Sequence, residues 1–178
     1  YITKHYHLDG VEVFSLHHFG LMSSSLPAIN TTLYMDRLKR LYRKAEKLYG
    51  RPDVFYAHFT FQSGFCTYLL SKKTNIPFMV MEHHSLFLHS KLNKYIRQML
   101  IQTVENSNCF ICVSETLKNA IIKWTATDKE INVIPNLIDE LFSYHAMRNN
   151  GRFTFFSAGN LIPSKRFDLL IEAFCKAL

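Results

Sequence analysis

The segment with the clearest chemistry is a loop near the end of the printed sequence. A β-rich run over 153–157 precedes it, and an amphipathic stretch over 166–177 follows it. Gly159 and Asn160 open the loop, and Lys165 stands directly before the predicted helix. A glycine turn and a helix N-terminus expose backbone N–H groups, and the lysine adds a positive charge. We therefore predict that Gly159, Asn160 and Lys165 bind an anionic ligand such as a phosphate; an exposed loop lysine without a ligand is the alternative.

Two histidines stand at the ends of predicted strands. His58 follows the run 53–57, and His83 comes two residues after the run 77–81. In open α/β sheets ligands bind beyond the carboxyl ends of the strands, so both imidazoles are candidates for a cleft. A strand-end histidine without chemistry is the alternative for His83. Further candidates for cleft or acceptor contacts are Glu82, Ser114 and Asn136.

Apolar runs and amphipathic stretches alternate along most of the chain. The connections between them are short, which favours repeated βα units and a parallel sheet. The continuous apolar runs suit strands that are buried on both faces. The sequence therefore predicts an α/β fold with a doubly wound parallel sheet of about five strands. Predicted strands cover 11–16, 53–57, 77–81, 109–113 and 131–134, and predicted helices cover 29–49, 63–73, 91–104 and 114–124.

Composition narrows the class of protein and of partner. The 178 residues are 48% hydrophobic and carry a formal net charge of +7. Such a charge favours anionic partners: nucleotide phosphates, nucleic acid or an acidic membrane surface. No apolar run approaches the ~20 residues of a membrane span, and the first residues do not form a signal peptide. The chain starts with Tyr1 rather than Met, which predicts an excised or processed span. Because nothing in the sequence marks secretion, we expect a cytoplasmic protein.

The spacing of the histidines and cysteines does not favour a metal site or a redox-active pair of thiols. His5 and His7 would share a strand face, but no third ligand follows at a diagnostic offset, so we predict neither a metal nor another cofactor. Cys109 and Cys112 lie inside a predicted strand, where residues three apart face opposite sides. Buried, reduced thiols are the expectation for them.

Five stretches, in order along the chain, are together similar to one family. They are Pro-Asp-Val-Phe-Tyr-Ala-His-Phe at 52–59, Ile-Pro-Phe-Met-Val-Met-Glu-His at 76–83, Cys-Val-Ser-Glu-Thr-Leu at 112–117, Val-Ile-Pro-Asn-Leu-Ile-Asp at 133–139, and the loop and helix at 159–174. The set resembles glycosyltransferase family four, whose members are retaining enzymes with two facing Rossmann-like domains, the GT-B fold.

The resemblance implies a role for several residues. Lys165 would contact the donor diphosphate, His83 the donor sugar, and both would be catalytic. The Arg that usually follows the loop glycine is Asn160 here, and the usual glycines after the histidine and after Pro-Asn are His84 and Leu137. The acidic pair that holds the donor would lie beyond Leu178.

The resemblance also implies a domain division and an activity. Residues 1–150 would form the acceptor-side domain without its first strand, and 151–178 would begin the nucleotide-sugar-binding domain. The activity would be transfer of a hexose from a nucleotide sugar to a glycan or lipid-linked acceptor, in surface polysaccharide biosynthesis. We expect the span 1–178 alone to be inactive, because it would hold one wall of the cleft and a fragment of the other.

The predicted helix over 29–49 carries many more basic than acidic residues. One interpretation is an ordinary solvated face; the other is contact with the anionic inner surface of the plasma membrane, where a lipid-linked acceptor would lie. The basic residues are Arg37, Lys39, Arg40, Arg43, Lys44 and Lys47.

Two other functions remain open at the level of sequence. A basic nucleic-acid-binding domain would fit the net charge, although no RRM, KH or helix-turn-helix signature is present. A non-catalytic Rossmann-like module would fit the replacement of the usual Arg by Asn160.

Overall fold

The computed structural model describes residues 3–16, 27–89, 91–138 and 154–177. They belong to two compact units, 1–137 and 138–178. The boundary predicted near residue 150 lies outside the described residues. The first unit contains, in chain order, β1 (Thr3–Leu8), β2 (Val11–Leu16), α1 (Pro27–Tyr49), β3 (Phe55–His58), α2 (Phe65–Thr74), β4 (Phe78–Glu82), α3 (Leu86–His89), α4 (Lys94–Asn106), β5 (Cys109–Cys112), α5 (Glu115–Thr125) and β6 (Asn132–Val133).

A four-stranded parallel sheet forms the centre of the first unit. Its strand order is β3-β4-β5-β6, so each strand lies beside its neighbour in the sequence. The helices between the strands allow this parallel order. The predicted α/β class and the parallel sheet are confirmed. The sheet has four strands in the described residues rather than about five, because β2 pairs elsewhere.

The strand β2 forms an antiparallel hairpin with β1. Asp9 and Gly10 connect the two strands, with φ values of 49° and 80°. Two consecutive residues of positive φ are the hallmark of the two-residue turns that suit the twist of a hairpin. The prediction that 11–16 is a strand is therefore confirmed, but its partner is β1 and not the parallel sheet.

Apolar side chains of the strands and helices make up the core around the sheet. Phe78, Val80 and Phe110 are fully buried in the two middle strands. Leu100 of α4 and Ile121 of α5 pack against them. The apolar sides of α1 and α2 meet in a second, smaller cluster. Burial on this scale stabilises the unit by roughly 1.5–3 kcal/mol for each large side chain.

The ends of two helices are fixed by polar side chains. Ser114 is the N-cap of α5, and its hydroxyl oxygen accepts a hydrogen bond of 3.2 Å from the backbone N–H of Leu117. Asn93 caps α4 in the same way, through Ile96 N–H at 2.9 Å. Such caps satisfy N–H groups that have no partner within the helix, and each contributes about 1 kcal/mol.

The second unit contains a 3₁₀ turn, Pro163–Lys165, and the helix α6, Phe167–Ala177. The helix confirms the prediction over 166–177. Residues 154–157 form no strand, contrary to the prediction over 153–157. A strand forms as part of a ladder with a neighbouring strand, and the sheets of the described residues do not include this segment. Its apolar side chains contact the helix instead: the rings of Phe155 and Phe174 lie 5.7 Å apart.

None of the described helices combines the length and the apolar composition that crossing a membrane requires.

Candidate functional site

The two predicted cleft histidines meet at the carboxyl edge of the parallel sheet. His58 is the last residue of β3, and His83 directly follows β4. Because β3 and β4 are parallel and adjacent, both side chains emerge at the same edge. His58 Nδ1 lies 3.0 Å from His83 Nε2, and the ring centroids are 5.2 Å apart with the planes tilted by 22°.

Asn136 extends this pair into a chain of three polar side chains. It follows β6, at the far side of the sheet, and its Oδ1 lies 3.0 Å from His83 Nδ1. The three residues come from separate segments of the sequence: 25 positions separate His58 from His83, and 53 separate His83 from Asn136. They nevertheless contact one another in the folded chain. We call His58, His83 and Asn136 the histidine relay. Hydrogen-bonding rings and an amide at a strand edge suit the hydroxyl groups of a polar ligand.

The Glu82 carboxylate binds the backbone of the segments that follow β3 and β4, next to the relay. The carboxylate is fully buried. One oxygen accepts a hydrogen bond of 2.7 Å from the backbone N–H of Thr60, and the other accepts one of 2.7 Å from His84 N–H. Burying a carboxylate is costly unless such bonds compensate it. The geometry gives Glu82 the task of tying together the segments that follow β3 and β4, while the ligand contact predicted for it remains a prediction.

The segment after β3 has unusual backbone geometry. Phe59 and Gln62 have φ values of 67° and 57°, in a region that residues other than glycine rarely adopt. Phe59 directly precedes a π-type turn, Thr60–Gly64, and Gln62 lies within it. Gly64 N–H donates to Phe59 O at 2.9 Å. A Cβ on Gly64 would lie 3.0 Å from that same oxygen, which explains the glycine. The turn brings the Phe59 ring to 5.5 Å from the His83 ring. Strained residues of this kind cluster at functional sites.

Ser114 and the cysteines of β5 belong to the same unit; Cys112 is buried as predicted, whereas Cys109 is half-buried. The Ser114 hydroxyl is the cap of α5 described above, and its predicted cleft contact remains a prediction. Cys112 is buried, and burial raises the pKa of its thiol to about 12, with the Glu82 carboxylate adding to the shift. The thiol therefore stays protonated and is a poor nucleophile or metal ligand.

The predicted phosphate loop lies in the second unit. Asn160 O accepts from Ile162 N–H at 2.8 Å, and Ile162 O accepts from Lys165 N–H at 2.9 Å. A Cβ on Gly159 would lie 3.4 Å from the Phe167 ring, which is an ordinary van der Waals contact, so the space there does not itself require a glycine. Lys165 is exposed, and its ammonium group forms no ion pair in the part of the chain that the structure describes.

Arg166 is already engaged within this loop. Its guanidinium group contacts the Asp168 carboxylate at 2.9 Å and lowers the pKa of that carboxyl group. The carboxylate also accepts hydrogen bonds from backbone N–H groups of residues 168 and 169. An anionic ligand at the start of α6 would have to share those groups with Asp168. Lys165 is consequently the cation of the loop that a ligand can use without displacing an ion pair.

A polar cluster on the hairpin involves the two N-terminal histidines. His5 and His7 lie on one face, as predicted, and both contact the Glu12 carboxylate, His7 Nδ1 at 2.9 Å. His5 is the main reason why the pKa of Glu12 is lowered. Within the described ranges, no three His, Cys, Asp or Glu side chains are arranged to hold a metal ion.

Comparison with known proteins gives two findings. The model of the family described as Glycosyltransferase Family 4 matches residues 7–140. A protein of Methanocaldococcus jannaschii, named as an uncharacterized glycosyltransferase, is 28% identical over an alignment of 131 residues, and the alignment covers 68% of this chain and 33% of that protein. The chain thus spans a third of the length of the curated relative it matches.

Proposed function

Because the chain belongs to glycosyltransferase family 4, we propose that the complete protein transfers a sugar from a nucleotide-sugar donor to a glycan or lipid-linked acceptor. The transfer proceeds with retention of configuration at the sugar. A hexose is the expected group, and surface polysaccharide biosynthesis the expected setting. The observation that carries the proposal is the histidine relay at the carboxyl edge of the sheet of a family member.

The relay is suited to hold the sugar. Imidazole and amide groups both donate and accept hydrogen bonds and carry no fixed charge when neutral, which matches the hydroxyl groups of a sugar. Phe59 lies beside His83 and adds an aromatic surface. Two backbone hydrogen bonds, from Phe59 N–H to Met81 O and from Gly64 N–H to Phe59 O, both 2.9 Å, hold the strained backbone of Phe59 in place without a ligand.

The loop of the second unit is suited to hold the donor diphosphate. Negative charge grows on the diphosphate as the bond to the sugar breaks, and Lys165 stabilises that charge in the transition state. Asn160, in place of the usual Arg, leaves Lys165 with a larger share of this task. The proposal requires no metal ion, since the lysine and the backbone N–H groups supply the positive charge.

A panel of donors tests the proposal. The complete protein is incubated with UDP-, GDP- and ADP-sugars and a membrane extract as acceptor, and the released nucleoside diphosphate is measured with and without EDTA. We expect release from at least one donor, unchanged by EDTA, and none above the blank from residues 1–178 alone. No release from any donor by the complete protein would favour the non-catalytic module.

The helix α1 supports a second part of the proposal, contact with an anionic membrane. Met35 and its neighbours bury one side of α1. Arg40, Arg43 and Lys47 are exposed on another side, and Arg40 pairs with Asp36 at 2.9 Å. Lys39 lowers the pKa of Lys73 on α2, which means that two ammonium groups lie close together. Such crowding of like charges favours an anionic surface, and we propose the cytoplasmic face of the plasma membrane.

Vesicle binding tests the membrane contact. Replacing Arg43 and Lys47 together with alanine should weaken binding of the complete protein to phosphatidylglycerol vesicles about thirtyfold, at roughly 1 kcal/mol for each cation. The matched control replaces Lys94 and Lys123 with alanine. Both lysines are exposed, on α4 and α5, and their loss lowers the net charge by the same amount. Equal losses in both double variants would show that net charge, and not α1, governs the binding.

A further inference from the structure

Two exposed rings lie next to each other at the carboxyl edge of the sheet. Phe59 follows β3 and is 43% exposed, although phenylalanine is usually buried. His84 comes two residues after β4 and is also exposed, and its ring lies 6.3 Å from the Phe59 ring at an angle of 74°. We propose that Phe59 and His84 form a platform that binds a sugar ring of the acceptor. The proposal rests on the proposed function only for which of the two sugars, donor or acceptor, the platform holds.

The backbone fixes the positions of the two rings relative to each other. The buried Glu82 carboxylate accepts hydrogen bonds of 2.7 Å from the N–H groups of Thr60 and His84. Thr60 is the residue after Phe59, so a single carboxylate holds the backbone at both platform residues. Phe59 N–H also donates to Met81 O at 2.9 Å. The φ of Phe59 is 67°, and backbone strain of this kind clusters at functional sites.

The hydrogen of the His84 imidazole has a definite place. Leu86 N–H donates to His84 Nδ1 at 2.9 Å. A backbone N–H group can only donate, so Nδ1 carries the lone pair and the hydrogen of the neutral ring is on Nε2. Within the described residues, His84 Nε2 makes no hydrogen bond. The platform therefore offers one directed N–H donor beside the apolar face of an aromatic ring.

A pyranose ring is the ligand that fits this combination. One face of many sugar rings carries only C–H groups and packs on an aromatic ring, while the hydroxyl groups at its edge accept hydrogen bonds. Phosphate sites instead combine several N–H groups with a cation, which the side chains of Phe59 and His84 do not supply. A lipid chain has no acceptor for the N–H group of His84.

The place of the platform selects the acceptor sugar rather than the donor sugar. The Phe59 ring lies 5.5 Å from the ring of His83, which belongs to the relay proposed to hold the transferred sugar. Transfer requires the reacting atoms of the two sugars to approach to about 3–3.5 Å. A sugar stacked on the platform adjoins a sugar held by the relay, as this step requires. A glycine is usual at position 84 in the family, so the imidazole adapts the platform to the acceptor of this chain.

Two substitutions remove the two parts of the platform separately. Phe59→Leu removes the aromatic face, and leucine meets the same backbone conformation as phenylalanine. His84→Asn removes the Nε2 donor, but its side-chain oxygen can still accept from Leu86 N–H. In the complete protein, each should raise the half-saturating amount of the membrane extract used as acceptor about fivefold, as for loss of one ring contact or one hydrogen bond. The KM of the donor found in the panel should change less than twofold.

Binding of simple sugars tests the platform without turnover. Methyl glycosides of glucose, galactose, mannose and N-acetylglucosamine are titrated into the complete protein labelled with ¹⁵N-histidine. We expect the hydrogen of neutral His84 on Nε2, and at least one glycoside should shift that resonance. Phe59→Leu should raise the Kd of this glycoside about fivefold. Tyr6→Leu is the matched control, since it removes a ring of similar exposure, 46%, from β1 and should bind like the wild type.

The outcomes distinguish this proposal from the proposed function. The platform is overturned by a hydrogen on Nδ1 of neutral His84, by the failure of every glycoside to bind, or by binding that Phe59→Leu leaves unchanged. Equal increases in the donor and acceptor requirements of the two variants would assign the rings to the donor and overturn it as well. Absence of turnover by the wild-type protein contradicts the proposed function, and the glycoside titration then still decides whether the platform binds a sugar.

Discussion

Alanine in place of Lys165 is expected to lower kcat of the complete protein about a hundredfold and to leave acceptor binding nearly unchanged. The charge on the diphosphate is larger in the transition state than in the bound donor, so a cation there accelerates the reaction more than it tightens binding. Loss of one such contact typically costs on the order of 3 kcal/mol. Arg166 is a poor replacement for the missing Lys165 charge, because it would have to leave its ion pair with Asp168. Steady-state kinetics with the donor found in the panel measure the effect.

A second lysine of the same unit provides the control. Lys176 is exposed on α6 and pairs with Glu172 at 2.9 Å, so Lys176→Ala removes the same charge from the same unit at another position. We expect its kcat to equal that of the wild type, and Lys165→Arg to retain part of the rate because the charge remains. Wild-type kcat and kcat/KM in Lys165→Ala would show that the loop does not grip the diphosphate.

The second large effect concerns stability rather than turnover. Glu82→Ala should lower the free energy of unfolding by about 3 to 5 kcal/mol, because it removes two charge-assisted hydrogen bonds and leaves the N–H groups of Thr60 and His84 without their acceptor. Urea denaturation of the wild type and the variant measures the difference. Because the carboxylate ties together the segments that carry His58 and His83, loss of turnover should accompany the loss of stability.

Two further variants identify the cause of that loss. Glu82→Gln keeps one acceptor oxygen but turns an N–H₂ group toward the other backbone donor, so its stability should fall between those of the wild type and Glu82→Ala. Glu130→Ala removes an exposed carboxylate of the same unit and should change stability by less than about 0.5 kcal/mol. A Glu82→Ala protein as stable as Glu130→Ala would refute the supporting role.

The sheet was predictable because its signals are local and repeated. The apolar runs predicted over 77–81 and 109–113 are the buried strands β4 and β5. Because the connections along the chain are short, strands that are neighbours in the sequence pair with each other, and the parallel order follows. The hairpin also has a local signal, Asp9-Gly10 between two β-rich runs, although only the second run, 11–16, was predicted as a strand. The strand predicted over 153–157 failed for a different reason: the pattern of a strand says nothing about whether a neighbour is present to bond with it.

The candidate site was predictable in its place but not in its contacts. The rule that ligands bind at the carboxyl ends of strands brings His58 and His83 to one edge. It does not say that they bond to each other or that Asn136 reaches His83, because those contacts depend on loop conformation. The positive φ values of Phe59 and Gln62 could not be predicted either, because neither residue type favours that conformation. The hydrogen bonds of Glu82 to Thr60 and His84 were not predictable, because a strand pattern does not reveal that a buried carboxylate meets two backbone donors.

The position of β3 at the end of the strand order has a practical consequence. In the described residues its outer edge has no pairing partner, and Val54 and Tyr56 on this strand segment are about half exposed, at 49% and 48%. An open edge of this kind is a template on which another chain can add a strand. Residues 1–178 in isolation should therefore self-associate at high concentration. Val54→Lys would be a rational way to block that edge, whereas position 56 should be left alone because the Tyr56 ring lies 4.5 Å from the ring of His58 in the relay.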